Sequence, residues 1–199
     1  MSKRNPGATP GKAANAAAGP GYYDGLFGRV KNYRCTPRNS RHFMLWECVA
    51  RHVPPASRVL EIGVGTGQLA ELLHEKGVRH YTGFDFSPVG VKMAQARKLG
   101  GFKFFVGDAR EPKNYEHDYD LAISTEVLEH LDDDLAMFGR LRPGVRFLFS
   151  VPSTGVEKSH VRYFESVADV QAHYAGKLRR MKVGTLNNGE WYFVQGFVR

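Results

Sequence analysis

The sequence predicts an α/β protein built on a doubly wound, mostly parallel sheet with helices on both faces. Three observations predict it. Between Arg58 and Leu73 the chain reads RVLEIGVGTGQLAELL. That is an apolar strand through Val59, Leu60 and Ile62, a glycine turn at Gly63, Gly65 and Gly67, and a helix carrying Leu69, Leu72 and Leu73 on one face. Further strand-then-helix units follow in series, each with polar residues at the end of its strand, the pattern of parallel strands joined by crossovers. The last stretch differs: Leu178 to Val183 and Trp191 to Val198 flank Asn187-Asn188-Gly189, a hairpin signal that makes the closing strands antiparallel.

Taken in order, residues 1–21 are rich in Pro, Gly, Ala, Asn and Lys without apolar periodicity, and read as a disordered basic tail. Residues 22–199 read as one domain, with a helical N-terminal cap over about 22–55. An aromatic stretch (Tyr22, Tyr23, Phe27) opens that cap. A helix follows, with Asn39-Ser40 as its N-cap, running through Phe43, Leu45, Trp46, Val49 and Ala50 until Val53-Pro54-Pro55 closes it. Tyr81 to Asp85 is the second strand; Ser87 caps and Pro88 starts the helix that carries Val91, Met93, Ala94 and Ala96. Phe102 to Val106 and Tyr119 to Ser124 are the third and fourth strands. A helix through Leu135, Met137, Phe138 and Leu141 then turns at Arg142-Pro143-Gly144 into a fifth strand, Val145 to Val151. A loop from Ser153 to His160 leads to a last helix capped by Ser166, with Asp169 completing a capping box.

Composition, at 42% hydrophobic and 24% charged, is that of an ordinary globular domain, and no stretch approaches the apolar length of a membrane span. No apolar segment follows Lys3 and Arg4 as a secretory signal requires, and Cys35 and Cys48 make no disulfide framework, so a cytoplasmic setting is expected. The formal charge of +8 is unevenly placed. Ten Lys/Arg lie between Met1 and Arg58 against Asp24 and Glu47 alone, whereas eighteen of each sign follow. A basic N-terminal segment attracts an anionic acceptor or a nucleic acid.

The glycine turn is not a dinucleotide fingerprint, because position 68, where a third glycine belongs, holds Gln68. Glu61 stands two residues before the first glycine, where it would repel a pyrophosphate and suits a cationic amino acid group. Asp85 ends the second strand about 20 residues on, the place from which a carboxylate reaches ribose hydroxyls in such sheets. This Glu61-x-Gly63-x-Gly65-x-Gly67 arrangement, with Asp85, Asp108 and Glu126-x-x-Glu129-His130 in order behind it, resembles the class I S-adenosylmethionine (SAM) dependent methyltransferases from Arg58 to about Pro152. The resemblance implies a seven-stranded sheet finished by an antiparallel strand. It further implies that Glu61 and Gly63, Gly65 and Gly67 hold the methionine part of SAM, and Asp85, with Phe86 next to it, the ribose side. Asp108 and Ala109 would hold the adenine, and Thr125 would stand by the sulfonium.

Catalytic candidates are Glu126, His130 and His160. On a helical turn Glu126, Glu129 and His130 would share one face, and with His160 they could hold a divalent ion; a metal-free role is the favoured reading. His160 is a candidate general base, and Arg162 a candidate partner for a substrate carboxylate or phosphate. The other histidines read as surface residues. The function expected is SAM-dependent methyl transfer, with S-adenosylhomocysteine (SAH) as product, to an oxygen or nitrogen of a small-molecule acceptor. The alternatives are an RNA or other nucleic-acid methyltransferase, metal-assisted or not, and a SAM-binding protein without activity.

Overall fold

The computed structural model describes residues 17–153 and 159–199, so the expected tail up to residue 16 and most of the loop after Ser153 lie outside the described residues. Thirteen α-helices and strands are described, twelve of them in the expected sequence and one, α1, formed by the aromatic stretch of the cap. They are α1 (Pro20–Arg29), α2 (Phe43–Arg51), β1 (Arg58–Ile62), α3 (Gln68–Glu75), β2 (His80–Asp85), α4 (Pro88–Ala96) and β3 (Phe102–Val106). Then come β4 (Leu121–Ser124), α5 (Asp134–Phe138), β5 (Arg146–Pro152), α6 (Val167–Tyr174), β6 (Leu178–Leu186) and β7 (Trp191–Val198). Among the described residues no helix is long and apolar enough to cross a membrane.

The seven strands lie in the order β3-β2-β1-β4-β5-β7-β6. The first five pair in parallel, while β7 runs antiparallel to both β5 and β6. Period-two alternation sends successive side chains to opposite faces. Leu60, Ile62, Phe84, Phe147 and Phe149 pack with Phe138 of α5 and Val170 and Tyr174 of α6. Val59, Tyr81, Ile123 and Leu148 face the other way, against Leu45 and Val49 of α2 and Leu69, Leu72 and Leu73 of α3. Each such side chain, once buried, contributes roughly 1.5–3 kcal/mol. Strand order reverses between β1 and β4, and the strand ends there form the crevice in which open α/β sheets bind ligands.

Several boundaries differ from expectation, each for a physical reason. The tail ends earlier than residue 21, because α1 begins at Pro20. Asn39-Ser40 does not cap α2: Pro37–Asn39 forms its own tight turn, the Ser40 hydroxyl accepts from the His42 N–H, and His42 stands at the cap. Helix α5 stops at Phe138, before Leu141. Strand β6 continues to Leu186, since pairing with β7 persists to the Leu186–Trp191 rung before three residues with φ of 49°, 53° and 89° turn the chain. Ser87 and Ser166 cap α4 and α6 as the sequence indicates.

Candidate active site

A cavity of about 470 Å³ opens at the C-terminal ends of β1, β2 and β4. A larger groove of about 640 Å³ lies on the outer side of α2, away from these strand ends, and takes in none of the chemistry below.

The floor is the glycine turn. Gly63, Gly65 and Gly67 have φ of +78°, +52° and +76°, a region other residues enter only at a steric cost. A Cβ on Gly63 would lie 2.2 Å from Val127 Cγ2, and one on Gly67 2.9 Å from the Ala94 Cα. Bare main chain is therefore required here twice over. Asp85 fixes the turn from β2: its Oδ2 accepts from the Gly65 N–H at 2.8 Å, and its Oδ1 accepts from the Ser87 N–H at 2.9 Å. Burial pushes the Asp85 carboxyl up to about 6, against those two donors, which pull it down. Glu61 is 1% exposed and accepts from the Tyr81 hydroxyl. Its desolvation raises the carboxyl to about 8, again against the hydrogen bond. Asp108 is gripped by the Arg110 guanidinium, which holds it below the usual carboxylate range. Ala109, Phe86 and the buried Thr125 complete this part of the wall.

The cap forms the opposite wall. Phe27 of α1 lies over Gly65 and Gly90, and the Tyr23 ring stands 5.3 Å from Phe86 and 5.6 Å from His130. The Asp24 carboxylate accepts from the Ser87 hydroxyl and the Val89 N–H at the start of α4, where the helix dipole favours an anion. Gln68, the residue that broke the dinucleotide pattern, donates from its amide to the Asn32 and Cys35 carbonyls at 3.0 Å. Thr66 donates to the Tyr33 carbonyl at 2.7 Å. His42, expected on the surface, is 4% exposed and lines the cavity beside Trp46 and Arg41.

Past β4 the structure separates residues that the helical-turn reading put together. Glu126 adopts φ +57°, Val127 has φ −133° and ψ −44°, and Leu128–His130 is a single tight turn, so no helical face joins Glu126 to Glu129 and His130. The Glu126 N–H donates to Ser150 Oγ at 3.0 Å, while its carboxylate accepts from the Ser150 hydroxyl at 2.9 Å and the Trp191 Nε1–H at 3.0 Å. Glu126 is thus held toward β5 and β7. Glu129, His130 and His160 do converge, with donor atoms within 4.8 Å of one another. His160 is 5% exposed, not part of a surface loop. Arg162 is not among the residues that line the cavity: its guanidinium donates to the Leu131 and Asp132 carbonyls and pairs with the buried Asp134. Sequence reasoning missed His42, Ser150 and Trp191 as members of this neighbourhood, whereas the aromatic run at Tyr22–Phe27 signals the part that Tyr23 and Phe27 take in it.

The order of strands, the glycine turn and the acidic residues at three strand ends meet a known pattern in sequence as well as in shape. A profile of the methyltransferase domain matches residues 32–188. The chain belongs to this methyltransferase family. Its seven-stranded sheet is the class I fold, as in a SAM-dependent methyltransferase of Thermotoga maritima, at 17% identity and a TM-score of 0.63 over 90% of this chain and 96% of that one. A Pyrococcus horikoshii protein superposes with a TM-score of 0.69 at 15% identity, covering 88% of this chain and 99% of its own. Among curated relatives, the phthiotriol/phenolphthiotriol dimycocerosates methyltransferase of Mycobacterium leprae is 34% identical over 116 residues, 53% of this chain and 42% of that protein. The chain spans less than half the length of the curated relatives it matches.

Proposed function

We propose that this domain transfers the methyl group of SAM to an oxygen or nitrogen of a small acceptor that enters beneath the N-terminal cap. The observation that carries the reading is the single cavity into which Glu61, the positive-φ glycine turn, Asp85 and Asp108 all open. The donors and acceptors fit the group. Glu61 and the glycine turn take the amino acid end, with the buried carboxyl giving up its proton to face an ammonium. Asp85 still has acceptor capacity for a vicinal diol after its two main-chain bonds. Asp108 and the Ala109 main chain take the adenine, and Phe86 packs beside the ribose.

SAM supplies an electrophilic methyl on a sulfonium, so alignment carries most of the catalysis. Thr125 and Glu126 flank the transfer point, where Glu126 is held in place by Ser150 and Trp191. His130 and His160 stand on the acceptor side, where an imidazole that carries no bound ion can take the proton an oxygen or nitrogen nucleophile must lose. The cap exposes Arg29, Lys31, Arg34, Arg38 and Arg41, and Arg41 reaches the cavity wall; this favours an acceptor that carries a negative charge. The same basic face supports a second reading, a nucleic-acid acceptor.

Calorimetric titration with SAH, with NAD as control, tests the cofactor assignment. Binding of SAH without NAD supports it, and binding of NAD instead overturns it. Acceptor screening with labelled SAM then separates the readings: salt-dependent RNA or DNA binding at physiological ionic strength favours the nucleic acid. Absence of methyl transfer to any acceptor class from a SAH-binding protein favours a binding role.

A further inference from the structure

We infer that Glu129, His130 and His160 form a binding site for one divalent transition-metal ion, and that Glu126 is not among its ligands. The proposal rests on the described side chains and not on the identity of the methyl acceptor. Two imidazoles and a carboxylate form a mixed nitrogen and oxygen donor set, which suits zinc, cobalt, nickel, manganese or iron better than magnesium or calcium. The three donor atoms lie within 4.8 Å of one another. Bonds of about 2.1 Å to a common ion bring such atoms to roughly 3–4 Å apart, so side-chain adjustment closes the set without moving the backbone.

Two further observations show that the arrangement is held in place. First, the two segments that supply the ligands are stitched together by bonds to main-chain carbonyls, one from a backbone N–H and two from the Arg162 guanidinium. The Val161 N–H donates to the Glu129 carbonyl at 2.8 Å, and Arg162 donates to the carbonyls of Leu131 and Asp132 at 3.1 and 3.2 Å. His160, about thirty residues along the chain from Glu129, is thereby set opposite it. Second, His130 Nδ1 lies 2.9 Å from the Ser159 carbonyl oxygen. A carbonyl can only accept, so Nδ1 carries the proton, and in the neutral ring Nε2 is then the nitrogen that can bind a cation. This outer bond to a carbonyl is the one that orients metal-binding imidazoles.

Glu126 stands outside the set of converging donor atoms. Its carboxylate is occupied by Ser150 and Trp191 across β5 and β7, and its backbone is turned to φ +57°. A three-residue protein set leaves coordination positions for water or an acceptor oxygen on the cavity side, since His130 and His160 both line the cavity.

The test is titration of the chelator-stripped full chain with Co²⁺ and Zn²⁺, read by calorimetry and by the cobalt visible spectrum, with Mg²⁺ as control. One equivalent is expected, with a d–d band for cobalt and at least a hundredfold weaker Mg²⁺ binding. His160→Ala and Glu129→Gln should each weaken binding at least tenfold, whereas Glu126→Gln should leave it within twofold. Glu129 and His160 are buried, so circular dichroism and SAH titration accompany each variant, and His130→Ala, at a half-buried position, repeats the test where folding is least at risk. Absence of stoichiometric Co²⁺ or Zn²⁺ binding by the folded, SAH-binding parent overturns the proposal. So does binding that survives His130→Ala, or an equal loss in Glu126→Gln. Failure of SAH binding with metal binding intact would strike the cofactor reading and leave this one standing.

Discussion

Cofactor binding should release a proton, and the group that loses it should be Glu61. Burial raises its carboxyl to about 8 from an ordinary value of 4.5. At pH 7 it is therefore about nine-tenths protonated, at pH 8 about half, and at pH 9 about one-tenth. An ammonium seated on this group requires the carboxylate. SAH binding should then release about 0.9 proton at pH 7, about 0.5 at pH 8 and close to none at pH 9. The assay is calorimetric titration at fixed pH in buffers of different ionisation enthalpy, where the slope of apparent enthalpy gives the protons exchanged. Glu61→Gln should bring the slope near zero. Tyr81→Phe removes the donor that favours the ionised form, so it raises the Glu61 carboxyl further and increases the release at pH 8. No release by the parent at pH 7, or unchanged release in Glu61→Gln, would refute the reasoning. The same shift has a stability consequence of definite sign. The folded chain holds this proton more tightly than the unfolded one, so its contribution is complete below about pH 4.5 and is lost as pH rises towards 8. The loss is on the order of 5 kcal/mol, and SAH should offset part of it at pH 8 in a thermal melt.

Three other expectations follow from particular contacts. Asp85 titrates at about 6, so SAH affinity should fall more steeply with acid below that pH in the parent than in Asp85→Asn, by about one further decade per pH unit; Asp85→Ala should abolish tight binding yet leave the circular dichroism spectrum unchanged, and parent-like SAH affinity in that variant would refute the ribose assignment. Gly67→Ala places a side chain at φ +76° and 2.9 Å from Ala94 Cα, which should cost about 2–4 kcal/mol, and an unaltered melting temperature would contradict the close approach of the glycine turn to α4. Asp24→Ala removes the anion at the start of α4, at a cost of about 1 kcal/mol, and should speed SAH dissociation in stopped-flow measurements, because α1 covers the cavity.

Features written in neighbouring residues were legible in the sequence. The glycine turn, the strand ends at Asp85 and Ser124, and the Ser87 and Ser166 caps each depend on a few adjacent side chains, and each lies where expected. What could not be read depends on distant partners. Glu126 looked helical, since its spacing to Glu129 and His130 is helical; its left-handed backbone comes with Ser150 and Trp191, 24 and 65 residues away. Arg162 looked free for a substrate because nothing nearby in sequence announces the carbonyls it serves. Helix α1, PGYYDGLFGR, has three glycines and weak intrinsic helicity, and its place is secured by Phe27 and Asp24 against α4 and the glycine turn. His42 was set aside as a lone histidine, although rings of Trp46 and Trp191 enclose it.

Gln68 and Thr66 hold the cap chiefly by hydrogen bonds to main-chain carbonyls, those of Asn32, Tyr33 and Cys35, with one longer contact from Gln68 to the Cys35 Sγ. The carbonyl of Tyr33 serves in this attachment whatever side chain position 33 carries. The wall that meets the acceptor can therefore change its residues without loosening its joint to the sheet. A library that varies positions 33, 41 and 42 while keeping Thr66 and Gln68 would explore new acceptors on an unchanged cofactor platform. Drift at these positions offers evolution the same freedom, and places the domain's capacity for retargeting in its first quarter rather than at its strand ends.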